Sequence, residues 1–77
     1  MLLNNIELDI KTKCIEEETT QTEIAEKIGT SKSYLSRIVN GGDRVMNRIF
    51  IQMLEALGYD VKITYEKRNS NIQDENN

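Results

Sequence analysis

Apolar residues recur every three to four positions through the first three quarters of the chain, with polar residues between them. This spacing is typical of helices that bury one face. Glycines interrupt it at positions 29, 41, 42 and 58, where a left-handed residue can end a helix. The pattern predicts four helices, over about Asn4 to Glu17, Gln21 to Ile28, Lys32 to Asn40 and Val45 to Leu57.

Residues suited to capping precede the first three predicted helices. Their side-chain oxygens can accept hydrogen bonds from the unpaired amides of a first helical turn. Thr20 followed by Glu23 also has the spacing of a capping box. The candidate caps are Asn4 or Asn5 for the first helix, Thr20 for the second and Thr30 or Ser31 for the third.

The apolar positions of the four helices predict the core. The first three helices contribute Ile6, Ile10 and Cys14, then Ile24, Ala25 and Ile28, then Leu35, Ile38 and Val39. In the fourth helix the stripe consists of Val45, Ile49, Met53 and Leu57, widened by Phe50 and Leu54. A stripe of this width predicts that the fourth helix covers a core built by the other three.

Residues 59–66 change to a period of two, with β-branched and aromatic residues at alternate positions. This pattern predicts a β-strand. A strand needs a partner for its backbone groups, and the sequence contains no second predicted strand. We therefore expect antiparallel pairing with the same strand of a second copy, about a two-fold axis. The predicted dimer interface consists of Tyr59, Val61, Ile63 and Tyr65.

The chain of 77 residues has a net charge of −3, and its charges are unevenly distributed. Residues 1–18 carry five acidic and two basic side chains, whereas residues 27–48 carry five basic and one acidic. A basic segment of this kind favours contact with phosphate. The acidic run at positions 16–18 is interpreted either as a solvated helix end or as a docking site for a basic partner.

Catalysis and metal binding are not expected. The chain has no histidine, and its single cysteine, Cys14, is interpreted as a core residue. Because we find no catalytic constellation, we expect neither enzymatic activity nor a metal or cofactor. A single cysteine fits a reducing cytoplasm. No apolar run has the length of a membrane span, and no signal peptide is expected.

The second and third predicted helices are both short, and a tight turn containing Gly29 separates them. Ala25 is small enough to let the two helices approach closely, and Gly29 can adopt a left-handed conformation without strain. Two such helices form a helix-turn-helix. One face of the third helix then remains free to enter a DNA major groove.

Residues 21–41 resemble the XRE family, the helix-turn-helix of phage repressor and Cro type. The matching residues are Gln21, Ala25, Gly29, Leu35, Ile38, Asn40 and Gly41. The resemblance covers about residues 4–57 and implies a mainly α, four-helix, lambda-repressor-like domain. The strand that follows is similar to the C-terminal dimerisation strand of Cro-type proteins. We expect one domain over residues 1–66 and a disordered polar tail over residues 67–77.

The resemblance also implies which residues contact DNA. It places base contacts at Ser31, Lys32, Ser33 and Arg37, and phosphate contacts at Gln21, Asn40 and Gly41 or Gly42. The side-chain chemistry agrees, because Arg37 and Lys32 can both bind guanine O6 and N7. Arg44 and Arg48 can neutralise the flanking phosphates. Tyr34 either covers the helix pair or donates its hydroxyl to a phosphate.

The leading functional hypothesis is a transcriptional repressor of phage or mobile-element type, acting as a homodimer on a palindromic operator in double-stranded DNA. No ligand-sensing domain is expected in so short a chain, so no small-molecule ligand is expected either. A second hypothesis is an antitoxin that binds its own promoter and holds a toxin protein through the tail or the acidic first helix. A third is a protein-interaction module that no longer binds DNA.

Overall fold

The computed structural model describes residues 1–68 of the chain and is mainly helical, with four α-helices as predicted. The helices are α1 (Ile6–Glu16), α2 (Gln21–Ile28), α3 (Lys32–Val39) and α4 (Arg48–Ala56), and a short 3-10 turn (Gly42–Val45) precedes α4. None of these helices combines the length and apolar character that a bilayer crossing requires.

The start and end of α2 follow from local chemistry, and both lie where the sequence predicts them. The Thr20 hydroxyl accepts from the Glu23 amide at 3.1 Å, and the Glu23 carboxylate accepts from the Thr20 amide at 3.0 Å. This is the predicted capping box. At the other end Gly29 adopts φ 81° and ψ 34°, a left-handed conformation that stops the helix.

Side-chain caps also start α1 and α3. The Asn5 side chain accepts from the amide of Leu8, and the Ser31 hydroxyl accepts from the amide of Tyr34, each at 3.1 Å. Of the two candidate caps for each helix, the structure therefore selects Asn5 and Ser31.

The predicted fourth helix is wrong at its start and in its inward face. The Asn47 side chain caps α4 by accepting from the second and third amides that follow it, so Val45 belongs to the 3-10 turn instead. Val45 therefore does not lie on the same helix as Ile49 and Met53, so the predicted stripe with a spacing of four residues does not form one face. As a result Ile51 is fully buried, whereas Ile49 and Met53 are exposed.

Two further residues predicted to point inward are exposed. Ile28 ends α2 with 63% of its surface accessible, and Ile38 on α3 is 42% accessible. The buried residues of these two helices are Ala25 and Val39, both of which the sequence also predicts to point inward. Val39 is buried together with Leu2 and Ile6.

The main core lies where the N-terminus, the end of α3 and the C-terminal segment meet. Leu2, Ile6 and Val39 are buried together there. The half-buried residues packed against them are Ile10, Val45, Met46, Val61 and Ile63. Fully burying one such apolar side chain contributes about 1.5–3 kcal/mol.

The C-terminal segment pairs with the N-terminus of its own chain. Val61 donates its amide to the Met1 carbonyl and accepts from the Leu3 amide, both at 2.8 Å, which makes one parallel bridge between Leu2 and Val61. Asn4 extends the pairing, because its side chain accepts from the Ile63 amide and donates to the Ile63 carbonyl.

This pairing corrects the premise that residues 59–66 have no partner within the chain. Through residue 68 the structure has this single bridge and no extended strand. Val61 and Ile63, two of the four residues predicted for the dimer interface, are half-buried within the protomer. Strand pairing between two copies stays a prediction.

The predicted polar tail lies mostly outside the described residues. Its first residue, Lys67, is described, and its ammonium group pairs with the Glu17 carboxylate at 2.7 Å. The pKa of Glu17 is lowered by this hydrogen bond and by the positive charge of Lys67. One acidic residue at the end of α1 therefore has a cation from the C-terminal segment beside it.

Candidate nucleic-acid interface

The turn between α2 and α3 brings the two helices together. Ala25 is buried where they meet, with only 2% of its surface accessible. The amide of Thr30 donates to the Ala25 carbonyl at 2.8 Å, which closes the turn around Gly29. Because Ser31 then caps α3 at once, only Gly29, Thr30 and Ser31 link the two helices. The predicted helix-turn-helix is present.

One side of α3 is available to a ligand. All four residues predicted to contact bases are exposed, namely Ser31, Lys32, Ser33 and Arg37. The opposite side is covered, since Leu35 is half-buried and Val39 is buried. Ser33 and Arg37 are four residues apart and therefore lie one above the other on the outer face.

Ser31 has two roles available at the start of α3. Its hydroxyl oxygen accepts from the Tyr34 amide, so the cap uses the acceptor side of the group. The hydroxyl proton is still able to donate to a base or phosphate oxygen. The first turn of a helix also carries partial positive charge, which favours an anionic partner.

Arg37 is supported by a neighbouring aromatic ring. The guanidinium carbon lies 5.8 Å from the centre of the Tyr34 ring, within the range of a cation–π interaction. This contact restricts an otherwise flexible side chain on the outer face of α3. The sequence alone does not predict this contact between Tyr34 and Arg37. A hydrogen bond from the Tyr34 hydroxyl to phosphate stays a prediction.

A cleft next to α3 brings two arginines together. It has a volume of about 510 Å³ and is lined by Arg37, Ile38, Gly41, Arg44 and Val45. The Arg44 side chain donates from Nε to the Gly41 carbonyl at 3.4 Å, which ties it to the end of α3. Two guanidinium groups beside an apolar floor can accept a phosphate or a base edge.

A second groove contains Gln21 and Lys32. It has a volume of about 420 Å³, and Ser36 and Lys11 also line it. The Oε1 atom of Gln21 is buried without a hydrogen-bond partner among residues 1–68. Lys11 is a cation beside the predicted site that sequence reasoning missed. Lys11 is exposed and lies about one helical turn before Cys14 and Ile15, which line the same groove, and that spacing was the available signal.

The remaining predicted phosphate contacts lie elsewhere. Asn40 and Gly42 line a separate cleft beside the start of α1, together with Glu7. Arg48 is exposed at the first residue of α4. The structure therefore groups Arg37 with Arg44 and Lys32 with Gln21, whereas Asn40 lines a different cleft.

A family model described as helix-turn-helix matches residues 10–63, which is most of the chain. The chain belongs to the XRE-type helix-turn-helix family. The matched range contains α2, α3 and α4 and ends within the C-terminal segment. Searches of curated proteins and of solved structures give no significant match.

Membership of this family defines the general activity. An XRE-type helix-turn-helix domain binds double-stranded DNA and regulates transcription. The family is typically non-enzymatic. The exposed outer face of α3 and the arginine cleft beside it are the features of this chain that fit such an activity.

Proposed function

We propose that the protein is a sequence-specific transcriptional repressor that binds a palindromic operator as a homodimer. The observation that carries this proposal is the exposed face of α3, where Arg37 lies over the Tyr34 ring and shares a cleft with Arg44. A face of this size and charge fits the major groove. Two copies related by a two-fold axis present two such helices, about 34 Å apart on successive turns of the duplex.

In this proposal α3 reads bases and its surroundings hold the backbone. Arg37 and Lys32 donate to guanine, and the hydroxyls of Ser31 and Ser33 donate to neighbouring base edges. The proposed phosphate contacts are made by Gln21, Tyr34, Asn40, Arg44 and Arg48. Of the two candidate backbone amides we propose that of Gly42, because the Gly41 amide already donates to the Ile38 carbonyl at 3.0 Å. The phosphate contacts position the protein on the duplex without selecting a base sequence.

The acidic remainder of the chain also matters for selectivity. Outside the basic middle segment, residues 1–18 repel phosphate because acidic side chains outnumber basic ones there. Repulsion of this kind weakens binding to any DNA, whatever its sequence. Operator binding then depends more heavily on the base contacts of α3.

The test begins with the selection of bound duplexes from a random library by the full-length protein. We expect an enriched, palindromic sequence. Arg37→Ala should bind the selected operator about 10–100-fold more weakly than wild type at matched salt, because a bidentate base contact contributes about 1–3 kcal/mol. The control is Lys13→Ala, which also removes one positive charge but lies on α1, where Lys13 pairs with Glu16.

Two outcomes would contradict the proposal. The first is an Arg37→Ala variant that binds the operator as tightly as wild type. The second is a selected sequence without two-fold symmetry, which would contradict the homodimer while leaving DNA binding intact.

An antitoxin that regulates its own promoter is the second candidate. The observation in its favour is the apolar surface that α4 leaves exposed, which could bind a second protein. The two candidates differ in the state of the isolated chain. A repressor should form a defined homodimer alone, whereas an antitoxin that uses this surface for its toxin should co-purify with that toxin.

A further inference from the structure

Helix α4 has more apolar surface than its own chain covers. At 100° per residue, its apolar side chains occupy well over half of the circumference. Only Ile51 and Leu54, which are neighbours on one side, are buried or half-buried. The polar side of the helix carries Arg48, Gln52 and Glu55.

The uncovered part forms one continuous surface, which we call the α4 apolar face. It consists of Ile49, Phe50, Met53, Ala56 and Leu57. The four large residues are exposed by 63%, 44%, 57% and 69% in chain order. The arc that they span contains no charged side chain. Soluble proteins rarely leave such a contiguous apolar surface in water, and where they do it marks a binding surface.

We propose that the α4 apolar face binds the same face of a second copy, with the two helices antiparallel and Met53 on the two-fold axis. The inference rests on the homodimer of the proposed function and not on its DNA contacts. It assigns the dimer interface to α4 instead of to the predicted strand.

The face is complementary to itself in this arrangement. With Met53 on the axis, Ile49 lies opposite Leu57 of the second copy, and Phe50 lies opposite Ala56. The large aromatic ring therefore meets the smallest side chain of the face. Pairing a large residue with a small one is how two helices interdigitate at close distance.

The area agrees with a modest but specific interface. Tyr59 lies just beyond α4 and is 64% exposed. With Tyr59 included, the exposed side chains present on the order of 600 Å² per copy, so a pair buries at most about 1,200 Å², the lower end of specific interfaces. Such a dimer should dissociate at low protein concentration.

Other occupants fit the face less well. Residues 69–77 follow the described part, and their sequence contains a single apolar residue, Ile72, so they offer little to an apolar surface. The predicted strand is the alternative route to a dimer, but Val61 and Ile63 already pack in the protomer. In addition Arg48 is five residues from Met53, or about 140° around the helix, so pairing leaves it accessible to DNA.

Sedimentation equilibrium of the full-length chain tests the proposal. Wild type should be a dimer at micromolar concentration, and Met53→Glu should be a monomer because it places two carboxylates together on the axis. Gln52→Glu adds the same charge one residue away on the polar side and should remain a dimer. A monomeric wild type, or a dimeric Met53→Glu, would overturn the interface.

A disulfide trap tests the same geometry without adding charge to the face. Cys14 is buried and is replaced by alanine, and a cysteine is introduced by Met53→Cys. Oxidised glutathione should join two copies at position 53, whereas Gln52→Cys in the same background should stay largely unlinked. Equal cross-linking at both positions would overturn the proposed axis.

Lys62→Pro separates the α4 face from the predicted strand. The amide and carbonyl of Val61 point to the N-terminus, so the amide of Lys62 points to the open edge. Proline there removes a donor that strand pairing between copies would need, and it leaves the contacts of Val61 intact. We expect this variant to stay dimeric. A monomeric Lys62→Pro would assign the interface to the strand and overturn our proposal.

The two proposals fail in different ways. A wild-type dimer whose selection yields no preferred DNA would contradict the repressor and support the α4 interface. A dimeric Met53→Glu that binds a palindromic operator would overturn the α4 interface alone. A wild-type monomer that binds a selected sequence would overturn both the α4 interface and the homodimer, and would leave sequence-specific binding standing.

Discussion

Asn4 shows how a single side chain can hold two distant parts of this molecule together. Its amide nitrogen lies 2.8 Å from the Ile63 carbonyl and 2.9 Å from the Asp9 carboxylate, and its oxygen accepts from the Ile63 amide at 2.7 Å. The hydroxyl of Tyr65 donates to the same Asp9 oxygen at 2.8 Å. The C-terminal segment is therefore held to α1 by a small polar cluster.

This cluster predicts a pH dependence. Hydrogen bonds from Asn4 and then from Tyr65 lower the pKa of Asp9, because they stabilise its charged form. A lowered pKa in the folded state stabilises the fold above the ordinary aspartate pKa of about 3.9. That contribution is lost as the pH falls through the lower, folded-state pKa.

A proton NMR titration from neutral to acidic pH checks this expectation. The Tyr65 ring signals should shift with the protonation of Asp9, with a midpoint below the ordinary aspartate value. The same shift should be absent in Asp9→Asn. A wild-type midpoint at or above the ordinary value would contradict the hydrogen-bonded cluster.

At the residue scale, the sequence predicts the caps well but misses the role of Asn4. Thr20 and Glu23 act on each other across three residues, so their spacing is sufficient to predict the capping box. The partner of Asn4 lies 59 residues away. Nothing in the local pattern indicates that contact, and the sequence supports only a candidate cap role for Asn4.

Among the elements, α2 is predicted correctly from hydrophobic periodicity, whereas the buried side of α4 is not. The bounds of α2 agree with the prediction because a cap and a glycine define both ends. In α4 the apolar residues cover two neighbouring arcs, and periodicity does not say which arc the chain itself buries. The choice of Ile51 over Ile49 depends on the Asn47 cap and the turn before it.

A pair of alanine substitutions should show which arc of α4 is the core. Ile51 is fully buried, so Ile51→Ala should lower the free energy of unfolding by about 2–5 kcal/mol. Ile49→Ala removes the same atoms from an exposed position. In a dilute, monomeric sample it should change the free energy by less than about 0.5 kcal/mol.

Urea denaturation monitored by circular dichroism measures both values. The comparison should be repeated at high protein concentration, where Ile49→Ala should also weaken the dimer. If both variants lost the same free energy of unfolding in the dilute sample, the result would contradict a core that contains Ile51 but not Ile49.

At the scale of the whole molecule, charge is arranged so that an acidic chain can bind an acidic polymer. Five of its basic residues lie between positions 27 and 48, the range that includes α3 and the start of α4. The sequence alone predicts this asymmetry and the helix-turn-helix within it, because both are local. It does not predict the closure of the two ends, which joins residues with no shared pattern.

The charge arrangement predicts the salt dependence of DNA binding. Arg44→Ala and Arg48→Ala should each reduce the slope of log affinity against log salt by about 1, since each removes one phosphate contact. Neither should change which operator sequence is preferred. Titrations at several salt concentrations, with the selected operator and a scrambled duplex, measure both properties.

A slope that does not change would show that the arginine in question does not contact phosphate. A change in sequence preference would instead assign base contacts to that arginine. The matched control is again Lys13→Ala. This substitution should leave both the salt slope of DNA affinity and the preferred operator sequence unchanged.

The bridge between Leu2 and Val61 also bears on the order in which the protein matures during synthesis. The helix-turn-helix emerges from the ribosome before residues 61 and 63, which complete the core around Leu2 and Ile6. Contacts between such distant residues cost chain entropy before they stabilise anything, so they form late. A nascent chain can therefore display α3 while α1 still lacks its final support. We therefore expect the core that supports α1 and the end of α3 to be complete only after the closing segment has been synthesised.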